Sequence, residues 1–395
     1  MKIVYVIDSL ASKGGAERIL SEKMNYLSEI FNYDVSVITC YQNPLETPNA
    51  YFLSKRVTQI DLNISYYKQY HYKYPKRLWV KYSIYRKLKD ELTNLLNTIG
   101  PDILIGLGYF IADVISCYKG KAVKIIESHE ARIFTLSNYG LHRSILSKAY
   151  MNVYRYYYLR KVEQNADIII TLTQGDAKEW EKAKRVEIIP DFTLMKPQNA
   201  SYNINSKRII SVGRLEWQKG FDRLIRIWKI VNDIHPAWEL VIFGSGTLEQ
   251  DLKYDIQNNG VKNIFIYPYT QNISHEYLQS SIFVLASRFE GFSLVLLEAQ
   301  QHGLPCVAYD CPFGPSDVID NDRCGFVIEN DNSILFAEKI CELIESPELR
   351  VLFSKEAIIN ASRFDKDKIM NQWKELFESI IINNNIKIPM PGTRS

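Results

Sequence analysis

At 395 residues the chain has room for two domains of roughly 150 residues each, and its 46% apolar and 24% charged content predicts a soluble globular protein with an ample core. A formal net charge of +3 is too small to point to nucleic acid, and no stretch resembles a nucleic-acid-binding module. The six cysteines, at positions 40, 117, 306, 311, 324 and 341, form no CxxC pair; this argues against a zinc ribbon or a disulfide framework and predicts a reducing, cytoplasmic setting.

Short β-branched runs alternate with longer helical patterns, the sign of parallel sheets covered by helices on both faces. The first run, Lys2–Ile7, begins at the N-terminus and predicts no signal peptide. Strands are then expected at Asp34–Thr39, 57–62, Ile103–Leu107, 123–127, Ile168–Thr171 and 186–189, with helices over 15–31, 75–98 and 144–165. Residues 190–206 are polar, hold Pro197 and lack periodicity, so 191–206 reads as an interdomain linker. The pattern restarts at Arg208–Val212. Strands at Glu239–Phe243, Ile264–Tyr267, Ile282–Leu285, 306–308 and 325–327 alternate with helices after Gly220, Thr247, Ser274, Phe292 and Ser333. The predicted fold is α/β: two tandem doubly wound, Rossmann-like domains, 1–190 and 207–364, facing across a cleft. A last helix over 365–381, with Trp373 and Phe377, can cross back to brace the first domain. No apolar run approaches the ~18 residues that span a bilayer. The polar tail from Asn383 is expected to fray.

Loops at strand ends carry the chemistry. Glu290-Gly-Phe-Ser-Leu-Val-Leu-Leu-Glu298 follows a buried strand and opens a helix. Gly291 lets a ligand approach the backbone, and N–H groups around Phe292, Ser293 and Leu294 favour an anion. Carboxylates accept from paired hydroxyls, so Glu290 and Glu298 flanking such a cradle suit a sugar nucleotide. In Gly213-Arg214-Leu-Glu-Trp-Gln-Lys219-Gly220, two cations at a strand's carboxyl end can neutralise a diphosphate, or be ordinary surface charge. Gly14 and Gly15 precede a helix, which permits close approach to a substrate or simply starts the helix. Gly244-Ser245-Gly246 either walls a nucleotide or turns the chain. His129, in Glu127-Ser-His-Glu130, is catalytic or structural; Glu130 accepts an acceptor's proton or caps a helix. The loop 310–319 shapes a sugar pocket or only sets the chain path. The triplets Asp320/Asp322 and Asp365/Asp367 read as surface charge, so no metal site is expected.

Twenty-six tyrosines are unevenly placed. Residues 66–89 hold eight Lys/Arg, seven Tyr and Trp79 without an acid, and 142–161 is again basic, aromatic and free of acids. Such stretches suit the headgroup zone of an anionic membrane, or are solvated helix faces over packed tyrosines.

Together VGRLEWQKGFDRLI, the paired-glutamate element EGFSLVLLEAQQHGLPCVAYD about 70 residues on, and GGAE near the N-terminus resemble the retaining glycosyltransferases of family 4, with the two-domain GT-B fold. The resemblance covers essentially the whole chain and is strongest over 208–330. It implies that Arg214 and Lys219 hold the donor diphosphate, Glu298 the nucleotide ribose and Glu290 hydroxyls of the transferred sugar. It further implies that backbone from Gly291 to Leu294, with Gly213, Gly244, Ser245 and Tyr269, lines the donor site, that Gly15 approaches from the other domain, and that His129 lies near the transferred sugar. Family members generally need neither metal nor other cofactor, the UDP-sugar being a co-substrate. Two departures stand out: the Gly-rich loop after 264–267 reads Tyr267-Pro-Tyr269-Thr-Gln, and the usual acid between two glycines is Ser245. The chain is similar to bacterial enzymes that build capsule, lipopolysaccharide O-antigen or exopolysaccharide. A UDP-sugar donor, a polyprenyl-diphosphate-linked saccharide acceptor and peripheral attachment to the inner face of the cell membrane are therefore expected.

Other readings remain. A dinucleotide oxidoreductase wants GxGxxG after the first strand, which Gly14-Gly15 does not supply. A non-catalytic sugar-nucleotide-binding scaffold, an epimerase and a sugar phosphorylase share the architecture.

Overall fold

The computed structural model describes residues 1–42, 47–73, 75–129, 132, 145–195 and 202–386. A seven-stranded sheet is formed by β1 (Lys2–Ile7), β2 (Asp34–Thr39), β3 (Thr58–Asp61), β4 (Ile103–Leu107), β5 (Val123–Ser128), β6 (Ile168–Thr171) and β7 (Val186–Ile188), in the order β3-β2-β1-β4-β5-β6-β7. A six-stranded sheet takes β8 (Arg208–Val212), β9 (Glu239–Phe243), β10 (Ile264–Tyr267), β11 (Ile282–Leu285), β12 (Cys306–Asp310) and β13 (Gly325–Glu329), in the order β10-β9-β8-β11-β12-β13. Every pairing is parallel. These are the two Rossmann-like domains expected from the alternating pattern. Each sheet reverses strand order beside its first strand, between β1 and β4 and between β8 and β11. Ligands of such sheets sit at that crevice, outside the carboxyl ends.

Strands so buried must be apolar on both faces, and β1, β4 and β6 are (IVYVI, ILIGL, IIIT). Helices follow the core by periodicity: Leu224, Ile225, Trp228 and Val231 put one stripe of Phe221–Ile234 into the second core. The last helix, Lys366–Ile386, inserts Ile369, Met370, Trp373 and Phe377 into the core of the first sheet, as the stripe at 369, 373, 377 and 380 requires.

The sequence expectation differs from the structure in four places. The helix Tyr109–Ser116 directly follows β4 with no polar break, so periodicity alone merges them; Gly108, at φ 82°, turns the chain between. The helices Gln174–Glu179 and Pro347–Ala361 were not anticipated, although Ser346 caps the second by accepting from Leu349 N–H at 3.3 Å with Pro347 in its first turn. The start of the polar stretch after β7 is anchored, not free: Asp191, Phe192 and Thr193 are buried, and Thr193 N–H donates to the Phe364 carbonyl at 3.2 Å. The two chain crossings between domains therefore run side by side. Residues 196–201 lie outside the described residues. Among the described residues, no helix is long and apolar enough to cross a membrane.

Candidate active site

The two switch points face each other, and the predicted residues converge between them. From the second domain, β8 ends at Gly213 and hands the chain to Arg214 and a short helical turn, Trp217–Lys219. β11 leads to Glu290. Lys219 Nζ stands 2.7 and 2.9 Å from the two Glu290 oxygens, and Ser287 Oγ donates to Oε1 at 2.5 Å. The carboxylate is 5% exposed and Lys219 14%, so the ion pair is largely out of water and each charge needs the other. An ammonium has three N–H donors, which leaves one for a third partner. Arg214 is different: exposed, with one long contact to Gln218 at 3.4 Å, it is free to meet a ligand. Gly244 and Gly246 press on the same loop. A Cβ at Gly244 would lie 1.9 Å from the Gly213 carbonyl, so this glycine is required by packing. Ser245 Oγ accepts from Tyr269 N–H at 3.4 Å, which brings the loop after β10 beside it; the Tyr269 ring is 64% exposed.

The helix after the glutamate loop runs Leu294–Gln301, beginning one to two residues later than its sequence implies. Ser293 caps it in the left-handed region, φ 71°, and its buried Oγ has no hydrogen-bond partner among the described residues. Phe292 turns inward against Phe364, with ring centroids 5.4 Å apart, leaving backbone toward the cleft. Glu298, on this helix, is largely but not fully buried; its oxygens meet Arg18 at 3.1 Å and the Tyr277 hydroxyl at 3.3 Å.

The first domain closes on this surface. A Cβ on Gly291 would stand 2.4 Å from the His129 carbonyl oxygen, and one on Gly15 would stand 2.9 Å from Leu294 Cδ1. Both glycines are thus where the domains touch. Gly14 caps the helix Gly15–Glu29 and contacts nothing across the cleft that would exclude a side chain; the near group is Glu17 of its own helix.

His129 belongs to a buried charge cluster. Its Nε2 is 3.0 Å from Glu127 Oε2 and its Nδ1 4.0 Å from Asp191. Lys23, 2% exposed, pairs with the same Glu127 oxygen and lies 4.1 Å from the Trp373 ring centroid. Burial opposes charge on His129, but Asp191 and Glu127 outweigh it and raise its pKa. Burial likewise opposes the Glu127 carboxylate, yet Lys23 and His129 bring its pKa below the ordinary value. His129, Glu127 and Asp8 line a cavity of about 650 Å³ in the first domain, walled by Tyr66, Tyr67, Tyr70, Phe110 and Trp180. Glu130 lies outside the described residues.

Asp320 pairs with Arg323 at 3.0 Å, and Asp367 accepts from the Tyr26 hydroxyl at 2.8 Å, so these carboxylates serve surface contacts. No cluster of three metal-ligating side chains occurs among the described residues. The loop 310–319 does more than set the chain path: Pro312 accepts from Glu290 N–H at 3.3 Å, and Asp317 accepts from Gln174 N–H of the first domain at 3.0 Å. Sequence reasoning missed Arg18, Lys23, Glu127 and Asp191 as site residues. For Lys23 a signal existed: it shares the core-facing phase of its helix with Leu20, Met24 and Leu27, and a charge there needs a buried partner.

Known proteins resemble this chain in sequence and in fold. Residues 196–380 match the family model of the glycosyl transferases group 1. The chain is 29% identical over 383 residues to an uncharacterized glycosyltransferase of Haemophilus influenzae, spanning 94% of this chain and 99% of that protein. It is 26% identical over 391 residues to the amylovoran biosynthesis glycosyltransferase AmsD of Erwinia amylovora, spanning 95% and 99%. Among solved structures, Anabaena HepE in complex with UDP superposes with a TM-score of 0.70 at 17% identity, covering 96% of this chain and all (100%) of that one, a likeness of fold. The region 196–380 thus belongs to the glycosyl transferases group 1, and the chain as a whole carries the two-domain GT-B fold of glycosyltransferases.

Proposed function

We propose that the protein is a retaining glycosyltransferase of bacterial surface-polysaccharide synthesis, moving a hexose or N-acetylhexosamine from a UDP-sugar to a lipid-linked saccharide. The observation that carries this reading is the Lys219–Glu290 pair, with exposed Arg214 beside it and a helix N-terminus behind, at the crevice of the second sheet. A departing diphosphate gathers negative charge. Arg214, the remaining N–H of Lys219 and the backbone before Leu294 supply fixed positive potential where that charge develops. In this reading the cations take the role a divalent metal plays in other transferases, and no cofactor is needed. Glu290 meets hydroxyls of the sugar and Glu298 those of the ribose; Gly213, Gly244, Ser245 and Tyr269 line the base side, and Gly15 the sugar side.

Retention follows from which carboxylates are available. Glu290 is bound at both oxygens by Lys219, and Glu127 is tied to Lys23 and His129. Neither is a ready nucleophile, which favours same-face attack by the acceptor, with the leaving phosphate assisting its deprotonation. His129, whose pKa Asp191 and Glu127 raise against the effect of burial, then lies beside the transferred sugar in this reading. The cavity of the first domain, with aromatic walls and a polar end at Asp8 and His129, suits a saccharide acceptor. Closure of the domains excludes water from the donor. The relative named for amylovoran biosynthesis supports a polysaccharide product, and the UDP-bound structure supports UDP as nucleotide.

The test is a donor panel of UDP-Glc, UDP-Gal, their N-acetyl forms and GDP-Man, scored by nucleotide release with a lipid-linked acceptor, and by the anomeric configuration of the product. UDP release with retained configuration is expected. Tight UDP binding without turnover on any acceptor would favour a sugar-nucleotide-binding scaffold.

A further inference from the structure

Arg18 stands in the first turn of the helix Gly15–Glu29, yet its partner is in the other domain: Nη1 is 3.1 Å from Glu298 Oε1. The second oxygen of Glu298 accepts from the Tyr277 hydroxyl at 3.3 Å. With its side chain 15% exposed, Glu298 has little water to stabilise its charge, and Arg18 is the cation that meets it. His302 Nδ1 donates to the Glu298 backbone carbonyl at 2.7 Å, and burial lowers the pKa of its ring. Tyr51, from the first domain, shares an electrostatic neighbourhood with Arg18, Tyr269, Glu17 and Glu298. Glu298 therefore meets one phenol of its own domain, Tyr277, and one guanidinium of the first domain, Arg18.

We propose that Arg18 is a donor-positioning residue: by contacting Glu298 across the boundary between the domains, it keeps that carboxylate charged and oriented for the ribose of a nucleoside diphosphate. The inference rests on Glu298 being the ribose ligand. A charged carboxylate accepts from two vicinal hydroxyls, whereas a protonated one has lost half that capacity. Burial raises the Glu298 pKa, and Arg18 and Tyr277 pull it only part of the way back. Removing the guanidinium leaves the raising influence less opposed. The protonated form then reaches further toward neutral pH, and ribose recognition fades there.

The experiment is calorimetric titration of the full-length protein with UDP and with 2′-deoxy-UDP across the acid to neutral range, for wild type, Arg18→Gln, Arg18→Lys and Glu298→Ala. Loss of one charge-assisted contact predicts UDP binding weakened about tenfold in Arg18→Gln at neutral pH. Its acid limb should move to higher pH and its preference for UDP over the deoxy analogue should shrink, while Arg18→Lys retains the wild-type acid limb. If Glu298→Ala weakens UDP binding but Arg18→Gln matches wild type in affinity and pH profile, the role of Arg18 is overturned alone. An acid limb displaced equally in the Lys and Gln variants overturns it too. If Glu298→Ala binds UDP normally, the ribose assignment itself falls and takes this inference with it.

Discussion

Lys219 and Arg214 have the same sign and lie in the same loop, but the structure gives them different obligations. Lys219 neutralises a carboxylate that is 5% exposed, whereas Arg214 is exposed and only loosely held. Arg214→Ala should therefore lower kcat/KM by about 2–4 kcal/mol of transition-state stabilisation and leave the melting temperature unchanged. Lys219→Ala should show a comparable loss of activity and also melt earlier, because Glu290 is left buried without its counterion. Steady-state kinetics beside calorimetric melting separates the two; equal melting of both variants would show that the pair contributes nothing to stability. His129 makes a second residue-scale prediction. Its pKa is raised in the folded state, so the stability it contributes is complete below the ordinary imidazole value of about 6.5 and disappears as pH climbs through the raised one. The melting temperature of wild type should fall over that rise in pH more than that of His129→Gln, in which the component is absent. These partners also mark the limit of sequence reading. Arg214, Lys219, Glu290 and Glu298 sit in local patterns at strand ends and could be read there. Arg18 and Lys23 acquire meaning only from carboxylates 280 and 104 positions away, and no local pattern encodes that distance.

At the level of elements, most strands and long helices were legible because strands buried on both faces become continuous β-branched runs and helices keep a 3.6-residue stripe. Elements without a contrast were not. The helix Tyr109–Ser116 follows β4 as one apolar run, and the buried start of the crossing at Asp191–Thr193 is as polar as a free linker. The last helix shows how one element couples the parts. Trp373 is 3% exposed, packs on Phe377 with centroids 5.4 Å apart, and covers the ammonium of Lys23. It thereby shields the Lys23–Glu127–His129 cluster from water. Trp373→Ala should cost about 3–5 kcal/mol in denaturant unfolding, the usual range for a buried aromatic truncated to alanine. It should also lessen the pH dependence ascribed to His129, since water then reaches the cluster. An unfolding midpoint equal to wild type would mean that the helix merely rests on the first domain.

For the molecule as a whole, the two basic-aromatic stretches, far apart in sequence, come together on one side of the first sheet. Leu88, Leu92 and Leu96 of the helix Lys76–Ile99 share a core with Tyr158, Leu159 and Val162 of the helix Ile145–Asn165, and Lys161 reaches Asp113 between them at 2.6 Å. Residues 142–144 and 74 lie outside the described residues. Leu78, Trp79 and Tyr82 are 52%, 71% and 63% exposed, one apolar face of the first helix, while Tyr156 and Tyr157 are exposed on the second. Lys76 and Arg77 stack on Tyr72 and Tyr70, with centroids 4.7 and 4.3 Å away, and the same tyrosine segment walls the cavity of the first domain. On the proposed reading, a lipid-linked acceptor would reach the protein at the face that these exposed aromatics and cations form. This whole-molecule reading makes two separable demands on vesicle binding. Replacing Lys73, Lys76, Arg77 and Lys81 by Gln removes four cations at about 1 kcal/mol each, so binding to anionic vesicles should weaken by about two to three orders of magnitude at low salt and converge with wild type at high salt. Trp79→Ala removes apolar insertion instead, so its deficit should persist at high salt. Co-sedimentation with phosphatidylglycerol vesicles over a salt series distinguishes the two terms. Binding unaffected by either change would leave the exposed aromatic face unexplained by a membrane and would place the acceptor's lipid away from this surface.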